Sequence, residues 1–315
     1  MESLQSLKQR SKSVGSIQQI TKAMELVAAT KMRRSQEIAL ASRSYAFAAL
    51  ELLALLSEFG EISPNPLLTK RKAKKTLFVI VTSDKGLAGS FNSGILKKFE
   101  AYLSKNNIDM QSPKYGFVAV GQKAAAYLQR KNAAPGRAFT RFGDFTKTED
   151  TKQLSEFLMQ GYLGGEFDEV LVFSYHFMSA LRQDVVCRQI LPVDYKNLKE
   201  TAKEIIPETG RFSGYAQFMQ AFHPAHDNYL IEPSPGEVLA RLAPFLVHMQ
   251  VYHLILEANA SEHSTRRVAM KSASDNAKEL SDELGKTYNK ARQTGITAEL
   301  LEISAGVEAL QKTNS

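Results

Sequence analysis

The chain has 315 residues, 43% of them hydrophobic and 23% charged, which excludes a disordered tail and allows a buried core in one large or two ordinary domains. Lys and Arg outnumber Asp and Glu by 40 to 33, and the net charge of +7 admits nucleic acid, a membrane surface or an acidic protein as partner without choosing among them. The single Cys187 excludes a disulfide framework and any CxxC zinc or redox site, and no run of 18 apolar residues marks a membrane span.

Residues 2–58 contain no Pro and one Gly, Gly15, and are rich in good helix formers. Two rows repeat at a heptad-like step: Leu7, Val14, Thr21, Ala28, Ser35, and Ile17, Met24, Lys31, Ile38, Tyr45. Such a narrow stripe suits a coiled coil, and its small residues let a partner helix approach closely. One helix of this span would run about 85 Å and cannot fit inside a compact domain. Phe59-Gly60 and Ser63-Pro64-Asn65-Pro66 end it.

From about 70 to 233 the period changes. The apolar run Thr76–Thr82 predicts a buried strand, followed by a Gly-rich loop at Asp84–Ser90 and a helix near Asn92–Ser104. Tyr115–Val120 reads as a strand, Gln122–Gln129 as a helix and Glu169–Tyr175 as a third buried strand. Val185–Val193 reads as a further strand, at an edge because of Pro192. Alternating strands and helices predict a mainly parallel α/β sheet. Residues 195–233 carry weak periodicity and read as an extended or partly helical excursion. Cys187 falls on a strand expected to be buried, as a core residue.

The remainder is helical again. Ser234-Pro235-Gly236-Glu237 is a start signal, with Ser as the cap, Pro at the first helical position and Glu as the reciprocal cap. Pro244 predicts a kink. The stripe Leu242, Leu246, Met249, Leu256, Ala260, Met270, Ser274, Ala277, Ser281, Leu284, Tyr288, Ala291, Gly295 turns small along its length, and some 75 residues would span about 110 Å. Two such helices need mates, and the simplest arrangement pairs them. With the α/β domain between them in sequence, the pair must be antiparallel, and the longer second helix must end in a lone tip. The fold class expected is therefore α/β: a long antiparallel two-helix coiled coil from residues 1–60 and 234–315, with a Rossmann-like domain at 70–233.

The charge is unevenly spread. Residues 8–43 hold eight basic and two acidic groups, and residues 70–75 hold five basic groups, so the rest of the chain is net acidic. This predicts a basic collar on the first helix and at its junction with the middle domain, whose exposed ion pairs would each be worth about 0–1 kcal/mol.

Three blocks carry a resemblance. Ile20–Gln36 (ITKAMELVAATKMRRSQ), Ser261–Asn276 (SEHSTRRVAMKSASDN) and Tyr288–Glu302 (YNKARQTGITAELLE) look like the gamma subunit of F-type ATP synthases. The loop Asp84-Lys85-Gly86-Leu87-Ala88-Gly89 is similar to that family's loop at the same place, although Ala88 stands where the family often has Cys. Gly306-Val307 departs from a usual Gly-Ala. The match covers both helices almost throughout and only short blocks between them; residues 131–150 and 195–228 carry none of it.

The resemblance implies a non-catalytic rotor shaft inside a ring of alpha and beta subunits. It also implies an epsilon subunit and a membrane-embedded c-ring as partners, and no cofactor. Proton flow would turn the shaft, whose different faces drive each beta site through its cycle. The coupling contacts implied are Lys22, Met24, Lys31, Arg33 and Arg34 on the first helix, Asp84 and Lys85 on the loop, and Arg266, Arg267, Lys271, Arg292, Gln293, Thr297, Glu299 and Glu302 on the last helix. Tyr229 and Glu232 look like the segment that meets the c-ring. Without a transit leader the chain suits a bacterial-type enzyme, peripheral on the cytoplasmic side of the cell inner membrane.

Each reading has a competitor. The basic first helix alone would suit a coiled-coil scaffold or a nucleic-acid-binding protein, but it lacks interleaved aromatics and a recognition motif. Gly86-x-x-Gly89 is neither GxGxxG nor GxxxxGK[ST], which makes a Rossmann-type enzyme the weaker choice. His223 and His226 offer two metal donors without a third, and no catalytic constellation is present, so metal: none is expected.

Overall fold

The computed structural model describes residues 3–41, 52, 65–133, 135–179, 182–194 and 231–313, with backbone alone at 39–41 and 306–313. Tyr229, His223, His226 and the expected helix stop at 59–64 lie outside the described residues. Two compact units form: Met1–Val27 with Arg267–Ser315, and Ala28–Arg266.

The first unit is built from the outer parts of helices α1 (Leu4–Ala41) and α5 (Pro235–Thr313). Leu7, Val14, Ala277 and Leu284 form its buried cluster, with Tyr288 and Ala291 packed against it. A Cβ at Gly295 would sit 4.0 Å from Leu4 Cδ1, so the start of α1 lies beside the far part of α5, and the helices are antiparallel. The stripe Met270, Ser274, Ala277, Ser281, Leu284, Tyr288, Ala291, Gly295 is buried or half-buried at every position, as expected. Residues 296–305 are exposed throughout, which is the expected lone tip.

The first heptad row also holds: Leu7, Val14, Ala28 and Ser35 are buried and Thr21 is half-buried. The second row holds in part: Ile17 is 51% exposed, but Met24, Lys31 and Ile38 are half-buried, and Tyr45 lies outside the described residues. The other flank, Ser11, Gln18, Glu25 and Met32, is buried or half-buried as well, so polar groups take part in the seam beside apolar ones. Glu25 at the seam stays paired, its carboxylate 2.9 Å from Lys22 Nζ.

The second unit holds a five-stranded sheet in the order β3-β2-β1-β4-β5. Its strands are β1 (Thr76–Val81), β2 (Tyr115–Val120), β3 (Arg137–Phe139), β4 (Glu169–Phe177) and β5 (Gln183–Leu191). The first four are parallel, with Thr76 opposite both Tyr115 and Glu169. β5 joins the edge antiparallel to β4. Helices α2 (Phe91–Lys105), α3 (Gln122–Arg130) and α4 (Thr148–Leu163) complete it. β3 and α4 were not anticipated. β3 is three residues long, and α4 begins in the stretch with least pattern, where Asp150 Oδ2 accepts from Lys147 N at 2.7 Å and caps it.

Phe78 on β1 packs among Phe99, Tyr102, Phe117 and Phe173, with Phe99 and Phe173 edge-to-face at 5.1 Å. Cys187 is half-buried on edge strand β5 rather than in the core, and burial still pushes its thiol up to about 12. Residues 70–75 enter β1, so they stand at the opposite end of that strand from the Asp84 loop.

α5 starts as its sequence indicates, with Ser234 Oγ accepting from Glu237 N at 3.3 Å. Its helical path is unbroken at Pro244. Residues 250–258 are buried on all sides, not along a narrow stripe, because this part of α5 lies in the core of the α/β unit with Val251, Leu254, Ile255 and Ala258. Helix α5 as a whole also contains an 18-residue stretch apolar enough to cross a membrane, more than half of it buried among the chain's own residues, as in a core helix. The carboxylate of Glu257 is held by Arg188 at 2.8 Å and His176 at 3.2 Å. Burial alone would raise it, but these partners hold it down at about 2.

Candidate functional site

A cleft of about 470 Å³ opens at the C-terminal ends of β1 and β2, where ligands of open parallel sheets bind. Its floor comes from Thr82 and Gly121. Gly121 is there because φ is +88° and a Cβ would lie 2.2 Å from Thr82 O. The first amides of α3 are all taken by the chain itself: Gln122 N donates to Asp84 Oδ1 at 3.0 Å, Lys123 N to Ser83 O at 3.2 Å and Ala124 N to Thr82 Oγ1 at 2.7 Å. The other Asp84 oxygen accepts from Arg141 N at 2.8 Å. A carboxylate thus occupies the place an anionic ligand would take at this helix start.

The Gly-rich loop is pinned from several sides. Ser83 Oγ donates to Lys85 O at 2.6 Å, an Arg266 nitrogen reaches Gly86 O at 3.4 Å, and Ala88 is buried. Leu87 is held at φ +61° with its side chain 66% exposed, an unusual conformation for Leu.

Opposite the loop, residues 141–146 meet both long helices. Asp144 Oδ2 lies 2.6 Å from Lys31 Nζ on α1, and its Oδ1 lies 3.3 Å from His263 Nε2 on α5. Ser35 Oγ donates to Asp144 O at 3.4 Å. Asn259 Nδ2 donates to Gly143 O at 3.1 Å and to Thr146 Oγ1 at 2.9 Å. Burial would raise the Asp144 pKa, but Lys31 and then His263 bring it below the ordinary value. His263 is 3% exposed, and burial takes it down to about 4, so it is neutral at pH 7. An imidazole protonated at Nε2 suits both Asp144 and the Arg266 nitrogen 3.4 Å from its Nδ1. Glu262 is raised by burial against the pull of Arg266, 2.6 Å away.

The expected site residues fall into two groups. Lys22, Lys31, Arg33, Arg34 and Arg266 each have an acid of this chain within reach: Glu25, Asp144, Glu37, Glu37 and Glu262. Asp84 is spent on two backbone amides. Exposed are Lys85, Arg267, Lys271, Arg292, Gln293, Thr297, Glu299, Glu302 and, at the start of α5, Glu232. Met24 is half-buried. The structure brings Asp84, Lys85 and Arg266 around one loop and Lys31 to the neighbouring loop. Asp144 and Asn259 were not singled out by the sequence; Asp144 lies in the stretch without family pattern, and only the recognised block containing His263 hinted at a polar partner there.

A family profile described as ATP synthase matches residues 3–310. An ATP synthase gamma chain of Geotalea daltonii is 35% identical over 311 residues, covering 99% of this chain and 100% of that one. One of Opitutus terrae is 37% identical over 305 residues, covering 97% and 98%. Among solved structures, a chain in the central stalk/c-ring structure of the Tetrahymena thermophila mitochondrial ATP synthase aligns with TM-score 0.55 and 25% identity, over 81% of this chain and 99% of its own. A chain in the OSCP/F1/c-ring structure of the Euglena gracilis mitochondrial ATP synthase aligns with TM-score 0.63 and 17% identity, over 99% and 96%.

Proposed function

Since this chain belongs to the ATP synthase gamma chain family, we infer that it is the rotating central stalk that couples proton flow to ATP synthesis or hydrolysis on the beta subunits. The observation that carries this is the state of the two helices. Their seam is closed by Leu7, Val14, Ala277 and Leu284, while Ile17, Ile20, Leu26, Val27, Ile296, Leu300, Leu301 and Ile303 stay 50% or more exposed. An apolar outer surface of this extent suits a partner that surrounds it.

Residues 1–60 and 234–315 are the shaft helices and 70–233 the α/β lobe. The subunit itself is non-catalytic. Its partners are the alpha and beta subunits, epsilon and the c-ring, and it is peripheral on the cytoplasmic side of the inner membrane. The exposed Lys85, Arg267, Lys271, Arg292, Gln293, Thr297, Glu299 and Glu302 are the groups free to touch the ring. Lys22, Arg33, Arg34 and Arg266 reach it while sharing their charge with an acid of their own chain. Tyr229 and Glu232 face the c-ring. Differential contact is the principle: a shaft biases three sites only if its faces interact unequally with their conformations.

The test is reconstitution with alpha, beta, epsilon and the membrane sector that carries the c-ring. The expected result is copurification at about one copy per three of each, with proton pumping dependent on this chain. Normal coupled pumping in its absence would overturn the reading. Salt-sensitive DNA binding by the isolated chain would favour the scaffold alternative instead.

A further inference from the structure

The loop at residues 141–146 belongs to no recognised block, yet it is bonded to α1, to α5 and to the Asp84 loop. We propose that Asp144 is a positioning residue that locks both long helices to the α/β sheet, so that torque passes between sheet and helices without slip. This rests on the central-stalk reading.

One carboxylate spans the two helices. Its Oδ2 takes Lys31 of α1 at 2.6 Å, and its Oδ1 takes His263 of α5 at 3.3 Å. The backbone beside it accepts from Ser35 of α1 at 3.4 Å and Asn259 of α5 at 3.1 Å. The same loop returns to the sheet through Arg141 N, which donates to Asp84 at 2.8 Å, and Asp84 in turn caps α3. Each helix therefore meets the loop through two groups one turn apart, Lys31 with Ser35 and Asn259 with His263. Two points one turn apart fix a helix's rotation about its own axis as well as its position. Ser35 is 1% exposed and His263 3%, so these two groups of the clamp are shielded from competing water. Lys31 and Asp144 are partly exposed, at 31% and 41%, and their pair adds little net stability. Its worth lies in register.

His263 remains neutral beside Asp144 because burial opposes a further cation, with Arg266 and Lys31 adding to that against the pull of Asp144. The carboxylate is thus left to neutralise Lys31 alone, which makes the pair sensitive to removal of one charge.

The experiment uses the assembled complex carrying Asp144→Asn, an isostere that keeps the loop's shape and removes the charge. ATP hydrolysis and subunit stoichiometry should match the parent, while proton pumping per ATP hydrolysed should fall by about threefold, within what a pair of this exposure can contribute. The double variant Lys31→Asp with Asp144→Lys restores opposite charges across the same two elements and should recover most of the pumping. Unchanged pumping in Asp144→Asn would overturn the proposal, and so would a loss that the exchange does not recover. If Asp144→Asn fails to assemble, the exchanged pair decides alone: pumping supports the clamp, and failure refutes it. A parent complex that hydrolyses ATP without pumping would instead refute the central-stalk reading.

Discussion

Single residues at the cleft set the tightest constraints. Gly121 combines φ +88° and ψ 149° with Thr82 O where a Cβ would stand, a backbone state essentially reserved for Gly. Gly121→Ala should destabilise the chain by about 3 kcal/mol or more, read as a lower urea midpoint at constant slope. His263 gives a pH signature. Its folded pKa near 4 lies below the ordinary 6.5, so the unfolded chain binds its proton first and stability falls as pH drops from about 6.5 to 4. That contribution amounts to roughly 3 kcal/mol at about 1.4 kcal/mol per unit. Asp144, depressed in the folded chain, adds a further loss below about pH 4. His263→Gln should flatten the 6.5–4 portion of the profile and leave the lower portion. An unaltered slope would mean that another group carries it.

Among the elements, the sequence is most informative where one surface is buried and least where partners decide. β1 and β4 are legible because both faces are covered and the whole run is apolar. The C-terminal stripe is legible because small residues at Ala277, Ala291 and Gly295 mark the close approach directly. The second N-terminal row is legible only in part: Met24, Lys31 and Ile38 are half-buried, but Ile17 is exposed while the polar Gln18 and Glu25 are covered. β3 is too short to show a period, whereas α4 does carry one at Leu154, Leu158 and Tyr162 and was passed over beside the patternless stretch before it. The site divides similarly. Recognised blocks supplied Arg266 with its i, i+4 acid Glu262, and Lys31, but the acid of Lys31, Asp144, emerges only from packing. Ala28, 1% exposed, tests the seam. Ala28→Lys should cost about 3 kcal/mol or more by burying an unpaired cation and forcing the helices apart, and should lower the yield of assembled complex. Full assembly and an unchanged denaturation midpoint would show that the helices pair in another register.

At the level of the whole molecule, folding and coupling make separable demands. Met24 is half-buried on one flank of α1. Met24→Lys should therefore spare assembly and reduce pumping more than hydrolysis, because a long cation at that flank reaches outward to acidic partners. Parallel loss of assembly and pumping would identify simple misfolding. The intrachain partners of Lys22, Lys31, Arg33, Arg34 and Arg266 matter at this scale too. Pre-paired cations can exchange partners in small steps, so no single contact has to break outright as the shaft turns.

The cluster that closes the first unit also governs how the chain is made. Leu7 and Val14 leave the ribosome first, yet Ala277 and Leu284, which cover them, follow about 260 residues later. At typical translation speeds that is a wait on the order of 10–50 s. The α/β unit is complete by Arg266 and can fold in the interval. Until the last helix emerges, the first 27 residues present an uncovered apolar stripe, which makes the nascent chain a substrate for chaperones and makes premature termination after Arg266 a route to aggregation.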